Sequence, residues 1–281
     1  MNCKIKKFIY FFFIICFIFV FCFLVKNNKN HFQQIDSYRS VKNVFDVCGQ
    51  NILVTFDVDD TLITTSNYLA NDLDYSTWFK ICVAFKYPEL LFNKEKFEWL
   101  YGLVCKEANR FVFDPDIVSF ISQIQRQGCK VVALTSMESG ALGVIESMPK
   151  WRANMLKDFG IDFGEQFQNI SFTTLSLHRG SYPCIYNGIL CANQEAKGKV
   201  LGAFLDYFQL KPVKIISFDD QERALNSIKS ECEKRKINFT GYQVLGAKKL
   251  HNSWNMKKAF KQLDFVMQKG QLLSNEQAVA F

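Results

Sequence analysis

Short apolar runs that stop at acidic or hydroxyl residues alternate along the chain with longer stretches whose apolar positions recur every three or four residues. Ile52–Phe56 is the first such run and stops at Asp57. Val131–Leu134 stops at Thr135 and Ser136, Val213–Phe218 at Asp219 and Asp220, and a last run covers Tyr242–Leu245. Their length and Val/Ile content predict buried strands. Residues 66–110 carry Phe79, Ile81, Val83, Leu90, Leu100 and Val104 at mostly helical spacing, which predicts two or three helices. Asp114-Pro115 then opens a helix with the apolar stripe Ile117, Val118, Ile121 and Ile124, closed at Gly128. Further helices are predicted over about 150–159 and 199–210, after Asp219-Asp220, and at the C-terminus. The third of these has Leu225, Ile228 and Cys232 on one face and ends in Lys234-Arg235-Lys236, which suits a C-terminal dipole. Asn187-Gly188 between Cys184-Ile185-Tyr186 and Ile189-Leu190-Cys191 predicts a tight hairpin. Strand, helix, strand in succession predicts a right-handed crossover and a parallel sheet, hence an α/β fold.

The N-terminus breaks this pattern. Lys4, Lys6 and Lys7 precede an uncharged, Phe-rich run from Phe8 to Val25, about the shortest length that spans a bilayer as a helix. The small-residue pattern of a cleavage site is poor, so residues 1–25 read as an uncleaved signal anchor, with a cleaved signal peptide as the rival. The flanking lysines lean towards a cytoplasmic N-terminus, which puts the large domain in the periplasm or outside the cell, anchored or exported. Residues 26–46 are polar and read as a tether.

The chain has 281 residues, 49% of them apolar, enough for a sizeable core. Its net charge of +7 is spread out, and no basic cluster with interleaved aromatics marks a nucleic-acid surface. The ten cysteines form no CxxC pair, so neither a zinc site nor a full disulfide framework is expected. One bond, Cys184 to Cys191 across the hairpin, stays open for an exported domain. His178-Arg179-Gly180 lacks the order of a histidine phosphatase, and Gly198-Lys199 lacks the rest of a P-loop.

Ligands of an open parallel sheet bind beyond the carboxyl ends of its strands. Asp57, Asp59, Thr135, Asp219 and Asp220 should therefore converge on one crevice, with Lys197 reaching in from the next helix. These residue types fit phosphoryl transfer. A carboxylate can attack phosphorus, a second can shuttle a proton, and oxygen ligands suit Mg²⁺. Asp219-Asp220 could instead be a simple helix cap, Lys199 competes with Lys197, and Arg152, on the helix after the second strand, could contact substrate but is expected on a solvated face.

The set resembles the haloacid dehalogenase-like (HAD) superfamily of phosphatases. DVDDT-L from Asp57 resembles its first motif, VVALTS (131–136) its second, KGKVLGAFL (197–205) its third and VKIISFDD (213–220) its fourth. The resemblance covers Asn51 to Leu245, in the family's order, and is nearest to a bacterial branch with an exported or anchored domain. It implies a three-layer Rossmann-like core over 47–281, a helical cap inserted at about 64–113 and a small β-hairpin insertion. It implies Asp57 as nucleophile and Asp59 as general acid/base. Mg²⁺ would be held by the Asp57 side chain, the Asp59 main-chain carbonyl and Asp220, with Asp219 a second ligand or an outer acceptor. Thr135 and Ser136 would bind phosphate, and Lys197 would bridge phosphate and nucleophile. The expected activity is Mg²⁺-dependent hydrolysis of a phosphorylated small molecule. A phosphotransferase or mutase on the same site, and a membrane-anchored binding module without turnover, are the rivals. The cap aromatics Trp78, Phe79, Phe85 and Trp99 are expected to be mainly core. The substrate and the oligomeric state cannot be read from the residues.

Overall fold

The apolar runs lie side by side as the centre of one eight-stranded sheet. The computed structural model describes residues 32–70, 75–164, 166–250 and 255–280. The strands are β1 (Gln33–Ile35), β2 (Ile52–Phe56), β5 (Lys130–Thr135), β6 (Ile170–Ser171), β7 (Cys184–Tyr186), β8 (Ile189–Cys191), β9 (Lys214–Asp219) and β10 (Asn238–Val244). A separate two-stranded sheet pairs β3 (Ile63–Thr65) with β4 (Arg110–Val112), antiparallel. The main order is β1-β10-β9-β2-β5-β8-β7-β6. Pairing is parallel from β10 through β9, β2 and β5 to β8, and antiparallel from β8 to β7 and β6.

All five residues of β2 are buried, as a strand covered on both faces requires. Val54 and Phe56 face one layer with Ile117, Phe120, Ile121 and Ile124 of a helix at Ile117–Arg126. Leu53 faces the other, with Val200, Leu201 and Phe204 of the helix Lys197–Tyr207 and Ile228 of the helix Glu222–Lys234. The result is the expected three-layer, Rossmann-like α/β arrangement. On the first face a ring ladder crosses three strands. Phe56 stacks on Phe218 at 4.8 Å, and Phe218 on Tyr242 at 4.9 Å. On the second face a buried hydrogen bond of 2.7 Å joins Thr55 to Ser217.

Between β3 and β4 stand helices α1 (Tyr75–Lys86) and α2 (Lys94–Glu107), with a 3₁₀ turn at Pro88–Phe92. Their apolar faces form a second core with Ala259, Leu263 and Val266 of the helix Met256–Lys269. The two or three helices that the spacing predicts thus form the helical insertion at about 64–113 that the resemblance implies, but its core is completed from the C-terminus. Phe79 is buried there, whereas Phe85 is 72% exposed and Trp99 40%. Those two were expected in the core and lie outside it: Phe85 meets only the edge of that core, its ring 6.4 Å from that of Phe260, and the Trp78 side chain lies outside the described residues.

Two further expectations change. Residues 33–47 are no irregular tether: β1 is followed by two 3₁₀ pieces within Tyr38–Val47, joined at a kink at Val41, and Tyr38, Val41 and Val44 enter the main core. Their three-residue spacing is the period of a 3₁₀ helix rather than of an α-helix or strand. The hairpin turns at Asn187 and Gly188, both with positive φ as a two-residue primed turn requires. It widens the main sheet, since β8 pairs with β5. Cys184 and Cys191 face each other across the hairpin as buried free thiols. The apolar run Phe8–Val25 lies outside the described residues. Among those residues no helix is long and apolar enough to cross a membrane.

Candidate active site

After β2 the chain goes to β5 on one side and returns later as β9 on the other, so the topology reverses at β2. A crevice at such a reversal is where ligands of α/β sheets bind. The Asp57 N–H continues the β2–β9 ladder by donating to the Phe218 carbonyl at 2.8 Å, which sets Asp57 beside Asp219. The chain then turns tightly. The Val58 carbonyl accepts from the N–H groups of Leu62 (2.8 Å) and Ile63 (3.1 Å). Asp60 takes a left-handed φ of 58°, which Asp tolerates better than most residues. Its carboxylate accepts from the Thr64 hydroxyl at 2.6 Å.

Thr61 ties this loop to the end of β9. Its Oγ1 accepts from the Asp220 N–H at 3.0 Å and lies 3.4 Å from Asp57 Oδ2. The Thr61 carbonyl accepts from the buried Tyr38 hydroxyl at 2.9 Å. Lys197 opens its helix, buried, and its Nζ lies 2.6 Å from Asp57 Oδ1 and 2.7 Å from Asp219 Oδ2. Gly198 permits this approach, because a Cβ there would collide with the Ser227 carbonyl of the neighbouring helix. Lys199 points outward and pairs with Glu195 at 3.1 Å. Of the two lysines, Lys197 is the one that touches the strand-end carboxylates. Asp219 Oδ1 accepts from the Gln221 N–H at 2.9 Å, so both its oxygens are engaged.

The carboxylates of Asp57, Asp219 and Asp220 are buried and close enough to share one cation. Lys197 supplies one positive charge against three negative ones. Lys248, half-buried, adds a contact of 3.3 Å to Asp220 Oδ2. Burial pushes the Asp57 carboxyl well above its usual range; Lys197 pulls it down, and Asp219 and Asp220 push it further up. Burial, then Asp219, pushes Asp220 up to about 7. Burial lowers the Lys197 ammonium, but Asp219 and Asp57 outweigh it and hold it charged. Asp220 Oδ1 is buried with no hydrogen-bond partner. Surplus buried negative charge and an oxygen without a donor fit a small hard cation with oxygen ligands.

Thr135 ends β5 on the same edge of the sheet, buried, its Oγ1 accepting from the Met137 N–H at 3.2 Å. Ser136 follows it and is exposed. The Asp59 side chain is not one of the three grouped carboxylates. It meets Arg152 of the helix Met148–Asp158, with Nη1 2.9 Å from Oδ1 and Nη2 3.0 Å from Oδ2. This corrects the expectation for Arg152: it is 3% exposed, not on a solvated face, because Asp59 gives its charge a partner inside. Lys248, Thr61 and Tyr38 were not singled out by sequence as parts of the site. For Lys248 a usable signal existed, since it follows β10 as the acids follow β2 and β9.

Residues 28–279 match the model of a family described as "Protein of unknown function (DUF2608)". The chain belongs to the DUF2608 family. An uncharacterized protein of Rickettsia bellii is 23% identical over 226 residues, covering 77% of this chain and 75% of its own. Another from Rickettsia prowazekii is 21% identical over 241 residues, covering 85% and 86%. The crystal structure of a HAD family hydrolase from Salmonella enterica serovar Typhi aligns over 73% of this chain and 72% of that one, with a TM-score of 0.37 and 14% identity. For this DUF2608 chain the fold therefore rests on its own strand order, and the site on its own strand-end groups.

Proposed function

We propose that the chain is a Mg²⁺-dependent phosphomonoester hydrolase of the HAD type that works through an aspartyl-phosphate. One observation carries the reading: Lys197 bridges Asp57 and Asp219 at 2.6 and 2.7 Å, with Asp220 beside them, at the reversal point of a parallel sheet. The Asp57 carboxylate attacks phosphorus, and the ester P–O bond breaks as the Asp57–phosphorus bond forms. Asp59 gives a proton to the departing oxygen. Water then attacks the acyl phosphate, Asp59 takes the proton back, and inorganic phosphate leaves with Asp57 restored. Lys197 offsets charge on nucleophile and phosphate, and Thr135 and Ser136 donate to phosphate oxygens. Asp57, the Asp59 carbonyl and Asp220 would hold Mg²⁺, which when bound neutralises the phosphoryl oxygens. Asp219 has both oxygens engaged and serves to hold Lys197. The helical insertion between β3 and β4 acts as a cap that excludes water and selects a phosphorylated small molecule. The N-terminal apolar run anchors or exports the domain, which then works at the periplasmic or outer side of a membrane.

The soluble domain should release phosphate from an aryl phosphate when Mg²⁺ is supplied. Asp57→Asn should abolish that turnover with the fold intact; unchanged turnover would end the proposal. Transfer to an added alcohol acceptor in place of water would make it a phosphotransferase. Absence of Mg²⁺ binding by calorimetry would favour a binding module without turnover.

A further inference from the structure

We propose that Cys48 and Cys129 are a disulfide site: on oxidation their sulfurs join and staple the segment Tyr38–Val47 to the start of β5. The site stands apart from the hydrolase reading. The periplasm or cell exterior proposed for the domain is the kind of compartment in which such bonds persist. The two sulfurs are already neighbours. The Gly49 N–H donates to Cys129 Sγ at 3.3 Å, and the Cys48 thiol hydrogen-bonds to Cys129. The two stretches run together beyond this point, since Lys130 Nζ donates to the Gln50 carbonyl at 3.2 Å. Among the described residues Cys48 is the one cysteine that is not fully buried, so a small oxidant reaches it, whereas Cys129 is 2% exposed.

Closing the bond needs the sulfurs to approach to about 2.0 Å. The loop has play for that. Nothing stands within 4 Å of where a Cβ would be at Gly49, and the Cys48 N–H makes only a long bond of 3.4 Å to the Phe45 carbonyl. The rival role for the pair is plain core filling, for which a free Cys serves as a small hydrophobe. Cys129 fits that role, but the half-buried Cys48, at the edge of the main core, does not.

The bond matters for what it holds. Tyr38–Val47 is two short 3₁₀ pieces seated by Tyr38, Val41 and Val44, and the Tyr38 hydroxyl supports the Thr61 carbonyl in the loop after β2. Cys48 closes that segment, and a link from it to Cys129 restricts a long loop of the unfolded chain. The oxidant is a low-molecular-weight disulfide, here glutathione disulfide. The Cys48 thiolate attacks one of its sulfurs and displaces a glutathione thiolate. The Cys129 thiolate then attacks the Cys48 sulfur of the mixed disulfide and displaces the second glutathione. Both thiol protons end on the released glutathione, and the electron pair lost by the two cysteines reduces the glutathione disulfide. Burial, then the Cys129 thiol, pushes Cys48 up to about 12, so this exchange is slow on the folded protein.

The test uses the full chain in detergent micelles, held with glutathione disulfide at pH 8 until the free-thiol count is constant, then alkylated and digested with trypsin without reduction. Residues 127–130 should be recovered joined to residues 43–80, and the link should vanish on reduction. Cys184 and Cys191 share one tryptic peptide, 180–197, so a bond between them is not mistaken for this one. Reduction should lower the melting midpoint of oxidised Cys184→Ser, in which the hairpin pair cannot bond, by about 5–10 °C. It should leave Cys48→Ser/Cys184→Ser unmoved. Recovery of the two peptides only apart, glutathione left on Cys48 without the link, or a Cys184→Ser midpoint that reduction does not move would each overturn the site. The peptide map is read on wild type and does not depend on a variant that folds.

Discussion

Replacing Lys197 by Met removes the one ammonium that touches both Asp57 and Asp219. At 2.6 and 2.7 Å each contact is worth about 6 kcal/mol of attraction at an effective dielectric near 20, before desolvation is subtracted. Desolvation cancels much of that gain, but the variant keeps the desolvated carboxylates and loses their counter-charge. Removing one partner of a buried pair costs about 3–5 kcal/mol. The penalty should be read by urea unfolding at pH 8 in EDTA, with Lys199→Met as the control. Lys199 is exposed and pairs only with Glu195, so its loss should stay within about 0.5 kcal/mol. At pH 5 the Lys197→Met penalty should shrink, because the raised Asp57 and Asp220 carboxyls can then take up protons. Saturating Mg²⁺ at pH 8 should recover part of it. A loss below about 1 kcal/mol at pH 8, or one equal to that of Lys199→Met, would refute the assignment of a buried anionic cluster held by Lys197.

Other expectations follow from the same geometry. Gly198→Ala drives a methyl into the Ser227 carbonyl and should cost about 1–3 kcal/mol, with turnover falling because Lys197 is displaced; melting curves and an aryl-phosphate assay read both. Tyr38→Phe should cost about 1 kcal/mol in urea unfolding for its buried bond to the Thr61 carbonyl, and Tyr38→Ala about 3–5. A chain begun at Cys48 should fail to give a cooperative melt, since it lacks Tyr38, Val41 and Val44 of the main core. Asp220 is held up at about 7, so the folded, metal-free protein binds a proton that the unfolded chain releases. Metal-free stability should therefore fall as pH rises from about 4 to about 7, by at most about 1.4 kcal/mol per unit for this group. Mg²⁺ should flatten that slope in pH-resolved melts.

Much of the site was legible because a fully buried strand that runs into an acid leaves a strong local mark. Asp57, Asp219 and Asp220 all carry it, and Lys197 stands where a helix begins. Arg152 carries no such mark. Its partner is Asp59, 93 residues away in sequence, and nothing in the helix pattern tells a paired inward arginine from a solvated one. Lys248 does carry a positional mark, the end of β10, but as a base after a strand it was not read with the acids. Tyr38, Val41 and Val44 were missed for a different reason. They stand three apart with no step of four between them, which does not keep a stripe on one face of an α-helix, and the residues that separate them are polar. The C-terminal helix was visible as amphipathic, but its pattern does not say which core it joins.

That last point bears on how the protein is made. Leu69, Phe79 and Leu100 find their packing partners in Ala259, Leu263 and Val266, and Gln262 accepts from the Leu69 N–H at 2.8 Å. During synthesis the inserted helices leave the ribosome early and hold an open greasy face until the tail of the chain arrives to cover it. Trimming that tail, or stalling translation before it, would leave the Rossmann-like layers assembled beneath an unfinished roof.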